Sequence, residues 1–186
     1  MEIKDFWHLI ERSRTAADDT DGRTEWLVER LVERSIQDVV DFNGHRHRLD
    51  LDAFQWPLWA ATCVITGGYS DASFDCFREW LIGLGRETYE RVVADPDALA
   101  DVPEVRELAA RKEKRMKVSL PEWEDLVFVP VRAYAEITGE DEDEAEAALD
   151  LDGLAAEPPG EGWDLSDMEE NARRLPRMCA LFGWTS

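Results

Sequence analysis

The chain has 186 residues, 44% of them apolar and 10% aromatic with eight tryptophans, a composition that excludes a disordered protein and provides for a buried core. Its formal net charge is −21. Because phosphate contacts require Lys and Arg, this sign argues against direct binding to nucleic acid or to an anionic membrane. The N-terminus lacks the basic and apolar regions of a secretory signal, so we expect a cytoplasmic protein.

Apolar residues recur at helical spacing near the N-terminus. They predict an amphipathic helix over residues 4–14 and a second helix that ends at Ser35. Ser35, followed by Asp38 three residues later, has the spacing of a capping box and predicts the start of a third helix. The polar segment 43–52 leaves two alternatives open, namely a helix that continues through it and one that pauses at Gly44.

Two helices in the middle of the chain are predicted to form the core. The segment 57–66 starts with Pro57, which suits a helix start, and it is apolar on nearly every side, which is typical of a buried helix. Its β-branched residues leave a strand as the alternative. Residues 72–84 repeat the apolar pattern and leave only a narrow polar strip, formed by Asp75, Arg78 and Glu79.

A third group of helices is predicted beyond residue 100. Residues 104–117 read as a surface helix that ends in a cluster of basic side chains. Ser119 and Glu122 then have the capping-box spacing and predict a long helix that extends to Gly139. Pro130 falls inside that helix, so we expect a kink or break there.

The composition changes after Gly139. There is no Lys or Arg between residues 132 and 173, whereas fifteen Asp and Glu residues occur over residues 136–170. We expect an exposed acidic helix over residues 140–148, then a linker with two prolines and a glycine. The apolar residues 175–184 are expected to dock on the body of the protein.

Three blocks of the sequence, in this order, resemble the DUF4240 family of bacterial proteins: DFWHLIE from Asp5, WPLWAATCVITGG from Trp56 and GGYSDASFDCFREWLIGLGRETYERVVADPDALA from Gly67. The resemblance covers about residues 1–137. The family is one of unknown function. The resemblance therefore implies a helical, cytosolic domain with its core around residues 74–84, and it implies no reaction, cofactor or catalytic residue.

A candidate ligand site lies where the second core helix begins. A helix N-terminus after Gly67 and Gly68 can bind an anion through free N–H groups. The spacing matches neither GxGxxG nor a P-loop, however, and the end of one helix followed by the cap of the next explains the same residues. If a pocket is present here, its predicted ligand-binding residues are Tyr69, Asp71, Asp75, Arg78 and Trp80.

Metal and nucleophile chemistry are weakly indicated. His45, His47, Asp50 and Asp52 are of metal-ligating types, but positions two apart on a helix point to nearly opposite faces, so we expect no metal site. The three cysteines, Cys63, Cys76 and Cys179, form no CxxC pair, which disfavours a zinc ribbon or a disulfide framework. No cofactor is predicted.

The sequence thus predicts an all-α, irregular multi-helix single domain. The helical domain is expected over residues 1–139, followed over residues 140–186 by an acidic extension with a short helix and an apolar tail. Our functional hypothesis is a cytosolic interaction or regulatory protein that binds a basic protein through its carboxylates. One alternative is a small-ligand-binding protein or enzyme with a pocket near residues 69–80. The other is an ordinary cytosolic protein whose negative charge only keeps it soluble.

Overall fold

The computed structural model describes residues 1–68, 71–114, 116–149 and 157–184. All regular structure in these ranges is helical, which confirms the all-α prediction. The α-helices, in chain order, are α1 (Ile3–Ala16), α2 (Thr20–Val32), α3 (Ile36–Ala53), α4 (Trp56–Thr66), α5 (Asp71–Gly83), α6 (Arg86–Ala94), α7 (Pro103–Glu113), α8 (Val129–Thr138), α9 (Glu142–Leu149), α10 (Met168–Arg174) and α11 (Pro176–Leu181). Two 3-10 helices span Pro96–Asp101 and Glu124–Leu126.

The chain divides into two compact units, each assembled from three segments. Unit 1 consists of Met1–Leu51, Glu79–Arg86 and Trp123–Leu154, and unit 2 of Asp52–Arg78, Glu87–Glu122 and Ala155–Ser186. The acidic helix α9 therefore belongs to unit 1. The C-terminal helices α10 and α11 belong to unit 2.

The core of unit 1 is formed by the apolar faces of its first three helices. Phe6 and Ile10 of α1, Leu27 of α2 and Phe42 of α3 are completely buried. The ring centroids of Phe6 and Phe42 are 4.8 Å apart, within the range of favourable aromatic contact. The helical spacing of apolar residues thus identifies most of the buried face of these helices, although Ile3, Ile36 and Val40 are exposed. Helix α2 also packs against α8, which links the N-terminal helices to the acidic part of the unit.

Trp123 is the largest fully buried side chain of unit 1. Its indole Nε1 donates a hydrogen bond to Thr24 Oγ1 at 2.9 Å, and the guanidinium of Arg23 lies 4.1 Å from the centre of its ring. A Cβ atom at Gly83 would lie 2.6 Å from the indole, closer than real Cβ contacts. Glycine at position 83 therefore makes room for the tryptophan.

The core of unit 2 is an aromatic stack beside α4. Trp59 stacks on Phe74 with ring centroids 5.2 Å apart, and Trp56 and Phe54 extend the stack on either side. Residues 58–65 are all buried, as expected for a helix that is apolar on every side. The helix predicted for this segment is confirmed, and the alternative of a strand is excluded.

The C-terminal helix α11 packs against α4 and the 3-10 helix Pro96–Asp101 within unit 2. The buried carboxylate of Asp97 accepts hydrogen bonds from the backbone N–H groups of Arg177 and Met178, at 3.0 and 2.9 Å, which lie at the start of α11. The indole of Trp184 donates a hydrogen bond to the carbonyl of Val64 at 2.8 Å. The apolar tail is thus anchored at both of its ends.

Two local expectations are resolved by the structure. Helix α3 continues through Gly44 without a pause. The capping box at Ser35 is confirmed, since the backbone N–H of Asp38 donates to Ser35 Oγ at 3.2 Å and Ser35 Oγ donates to the Asp38 carboxylate at 2.7 Å. Before α10 the cap is Asp167, whose carboxylate accepts from the N–H of Glu169.

The prediction of one long helix over residues 119–139, with a kink or break at Pro130, is wrong for the first half of this segment. Residues 116–123 are irregular, the Glu124–Leu126 segment is a 3-10 helix, and α8 begins only at Val129. Pro130 lies in the first turn of α8, where the N–H that proline lacks would have no partner within the helix and its fixed φ suits the helical backbone. Trp123 has a non-helical backbone, with a φ of −143° and a ψ of 72°, and its side chain is buried in the core of unit 1.

Candidate functional site

The acidic helix α9 is docked on α8 through a small apolar face. Ala145 and Leu149, one turn apart on α9, are buried against Val131, Tyr134 and Ala135 of α8. The packing of two helices in contact fixes which side of α9 faces solvent. The acidic helix expected over residues 140–148 is present as α9 at Glu142–Leu149, and tertiary contacts with α8 hold it.

The two ends of α9 are also held. At its start, the carboxylate of Asp141 accepts a hydrogen bond from the N–H of Glu144 at 3.0 Å, and the acidic residues of the first turn suit the positive end of the helix dipole. At its end, the side-chain amide of Asn43 donates to the carbonyl of Leu149 at 2.8 Å. Both contacts satisfy backbone groups that a short helix leaves unpaired.

We name the exposed carboxylates around α9 the acidic face. Its members are all solvent-exposed: Glu136, Glu140, Asp141, Glu142, Asp143, Glu144 and Glu146. The one basic residue of α8, Arg132, pairs with Glu25 at 2.8 Å, and this hydrogen bond raises the pKa of the Arg132 guanidinium. Seven negative groups on one short, fixed segment can attract and bind a cationic surface.

A buried polar network that our sequence reasoning missed supports this region. Asn43, Arg46 and Asp50 lie at i, i+3 and i+7 on α3, and all three are buried. The guanidinium of Arg46 donates to the buried carboxylate of Glu79 and, at 3.2 Å, to the side-chain oxygen of Asn43. The network orients the Asn43 amide toward α9. The spacing of these polar residues along α3 is the signal that could have identified it.

The structure describes the side chains of three of the five predicted ligand-binding residues. Tyr69 and the side chain of Asp71 lie outside the described residues. Asp75 is exposed and forms an ion pair with Arg78 at 3.1 Å, while Arg78 itself is only 1% exposed. Trp80 is buried in unit 1. The structure thus brings Asp75 and Arg78 together, and the five-residue pocket stays a prediction.

The buried part of Arg78 packs on aromatic rings of unit 2. Its guanidinium carbon lies 4.7 Å from the ring centre of Phe54 and 4.9 Å from that of Phe74. Such cation–π contacts offset part of the cost of removing a guanidinium from water. The polar strip expected on α5 is therefore exposed at Asp75 and buried at Arg78.

An open cleft of about 430 Å³ in unit 2 borders the glycines that precede α5. Four of its described lining residues have hydroxyl groups, namely Thr62, Thr66, Ser73 and Ser119. The others are Gly67, Gly68, Leu120 and Glu122. The hydroxyls of Thr62 and Thr66 donate to carbonyls of their own helix, at 2.7 and 2.9 Å, and Thr66 Oγ1 also accepts from the N–H of Gly68 at 3.4 Å. Hydroxyl groups and the carboxylate of Glu122 thus give the cleft a polar lining.

The metal-type residues of α3 are separated by its helical geometry. His45 Nε2 lies 3.2 Å from the carbonyl of Met1, and His47 follows two positions later on the same continuous helix. Over residues 1–68, 71–114, 116–149 and 157–184, no three His, Cys, Asp or Glu side chains are grouped closely enough to hold a metal ion. Within the same ranges, no helix has the length and apolar character required to cross a membrane.

Comparison with known proteins identifies a family and no function. No curated protein and no solved structure matches the chain. The model of DUF4240, described as a protein of unknown function, matches residues 1–136, which include α1 to α7 and most of α8. Helix α9 and the acidic face beyond Glu136 lie outside the match. The chain belongs to the DUF4240 family.

Proposed function

We propose that this protein is a cytoplasmic interaction or regulatory protein that binds a basic partner protein through the acidic face. The observation that supports the proposal is the docking of α9, because Ala145 and Leu149 hold an array of carboxylates in one orientation. A charge that served solubility alone would need no such fixed geometry. An ordered array reduces the conformational entropy lost on binding.

The charge of the whole chain adds a long-range contribution. A net charge of −21 attracts a cationic protein from a distance and increases the rate of encounter, whereas the fixed carboxylates determine where it binds. Both contributions weaken as salt screens the charges, since the Debye length is about 10 Å at 0.1 M and about 3 Å at 1 M salt. Salt sensitivity is therefore the expected property of the complex.

The proposal is tested by affinity capture from a bacterial lysate at about 0.05 M and about 0.5 M salt. Wild-type protein is compared with a variant in which four carboxylates of α9 are neutralised: Glu142→Gln, Asp143→Asn, Glu144→Gln and Glu146→Gln. We expect a basic protein to be retained by the wild type at low salt, lost at high salt, and retained poorly by the variant at either salt.

A matched control separates the acidic face from bulk charge. It removes the same number of exposed carboxylates elsewhere in the chain: Asp18→Asn, Glu113→Gln, Glu157→Gln and Glu161→Gln. We expect this control to retain the partner almost as well as the wild type. Equal loss in both variants, or no basic protein retained at low salt, would contradict the proposal.

A second candidate function, the binding of a small polar molecule, is supported by the hydroxyl-lined cleft of unit 2. The cleft adjoins the predicted pocket near residues 69–80 and has the volume of a small-molecule site. Thermal-shift screening of polar metabolites tests it with the variant Ser119→Trp, which fills the cleft, and the exposed control Thr15→Trp. A compound that stabilises the wild type and the control, but not Ser119→Trp, would support this candidate. If no compound does so, the candidate is rejected.

A further inference from the structure

A cleft between α1 and α2 carries positive charge in this acidic protein. It has a volume of about 390 Å³, lies within unit 1, and is lined by His8, Leu9, Arg12, Trp26, Arg30, Glu33 and Arg34. Three arginines and one glutamate give the lining a formal charge of +2 with the histidine neutral, whereas the chain as a whole carries −21. Its charge is therefore opposite to that of the acidic face.

Helical spacing explains how these side chains converge. His8 and Arg12 are one turn apart on α1, and Trp26 and Arg30 are one turn apart on α2. Arg34 follows Arg30 after four more residues, just beyond the end of α2. Because α1 and α2 pack against each other, the two rows face the same cleft.

The half-buried indole of Trp26 positions two of the guanidinium groups. The guanidinium carbon of Arg12 lies 5.5 Å from the centre of the Trp26 ring, and that of Arg30 lies 6.0 Å from it. Contact with an aromatic face restrains a guanidinium group and leaves its N–H donors at the edge for another acceptor. The cleft therefore has oriented donors beside an apolar surface.

Most of this positive charge is not neutralised by nearby carboxylates. Arg30 pairs with Glu33 at 3.2 Å and Glu29 at 3.5 Å, but both glutamates are well exposed, and such surface pairs are weak. In the part of the chain that the structure describes, Arg12 and Arg34 have no carboxylate partner. Within that part, the buried Nε of Arg30 also has no hydrogen-bond partner.

We propose that this cleft binds the phosphate group of a small phosphomonoester. A phosphate dianion offers several acceptor oxygens in the geometry that guanidinium groups bind in pairs of hydrogen bonds. The volume falls in the range of small-molecule sites, about 300–1,000 Å³. Trp26 and Leu9 provide the apolar wall for an aromatic group attached to the phosphate. The site is independent of the acidic face.

Isothermal titration calorimetry of the full chain tests the proposal with phenyl phosphate and inorganic phosphate as probes. We expect saturable binding of phenyl phosphate and weaker binding of inorganic phosphate, because the latter makes no contact with Trp26. Replacing Arg12 and Arg34 by Gln removes charge-assisted hydrogen bonds and should weaken phenyl phosphate binding about tenfold or more. The matched control, Arg91→Gln with Arg106→Gln, removes two exposed arginines elsewhere and should leave the affinity unchanged.

A third variant should bind phenyl phosphate more tightly than the wild type. Glu33→Gln removes the carboxylate that competes for Arg30, so phenyl phosphate should bind more tightly, while circular dichroism verifies that each variant is folded. Equal affinity for the two probes would overturn the role of Trp26 and assign the site to free phosphate. The absence of saturable binding of either probe, or equal binding by the Arg12 and Arg34 variant and its control, would overturn the proposal.

Discussion

Replacing Ala145 by Asp is expected to detach α9 from α8 while adding a negative charge to the protein. Ala145 is completely buried, so the new carboxylate would have to enter the contact with Val131 and Tyr134. Burying an ionised carboxylate costs several kcal/mol. The apolar contacts that hold α9 contribute less free energy, about 0.8 kcal/mol for the Ala145 methyl and about 1.5–3 kcal/mol for the Leu149 side chain. The helix should therefore undock rather than bury the charge.

Hydrogen exchange measured by mass spectrometry detects this undocking. The amide groups of residues 142–149 should lose protection in Ala145→Asp, while those of α1 and α2 keep theirs. The control is Ala147→Asp, which adds the same charge at an exposed position of the same helix and should preserve protection. Unchanged protection of residues 142–149 in Ala145→Asp would refute the reasoning.

The same pair of variants separates fixed geometry from bulk charge in partner binding. Both variants are more negative than the wild type by one charge. If the ordered array binds the partner, Ala145→Asp should bind it more weakly and Ala147→Asp about as well as the wild type. If bulk charge alone were responsible, both variants would bind at least as well as the wild type.

Three further predictions concern stability and reactivity. Gly83→Ala places a Cβ against Trp123 and should destabilise the protein by about 1–3 kcal/mol in urea unfolding. Gly44→Ala, in open space on α3, should stabilise it by about 0.5–1 kcal/mol. A Gly83→Ala variant at least as stable as Gly44→Ala would refute this prediction. Burial raises the pKa of the Cys63 thiol to about 11, so the thiol stays protonated in the native protein at pH 8. It should therefore resist alkylation by iodoacetamide until urea unfolds the protein. Rapid alkylation of the native protein would contradict this prediction. Asp97→Ala removes the acceptor for two N–H groups at the start of α11, so it should lower the free energy of unfolding by about 1–2 kcal/mol and increase hydrogen exchange at α11. Unchanged exchange there would contradict the role of Asp97 as a cap.

Much of the helical structure could be predicted from the sequence, because periodicity and capping are local properties. The capping box at Ser35 and the buried helix α4 follow from residues close in the chain. The segment before α8 could not be predicted in this way. Ser119 and Glu122 have the spacing of a capping box, yet Trp123, whose side chain is buried in the core of unit 1, has a non-helical backbone. Tertiary packing outweighed the local signal.

The candidate sites differ in how far the sequence identifies them. The acidic face follows from a run of carboxylates along one segment, and the spacing of Ala145 and Leu149 indicates its apolar side. The cationic cleft could not be predicted, because Arg12 and Arg30 come from different helices and only the packing of α1 on α2 brings them together. The division of the chain into two units, each of three segments, is likewise a property of long-range contacts.

The most direct measurement of the central claim is zero-length carbodiimide crosslinking in a bacterial lysate, followed by mass spectrometric mapping. The reagent joins carboxylates to lysines that are in contact, so each crosslink reports a carboxylate at the interface. Binding through the acidic face predicts intermolecular crosslinks concentrated at residues 136–146. Crosslinks spread over all exposed carboxylates of the chain, or concentrated outside residues 136–146, would contradict it.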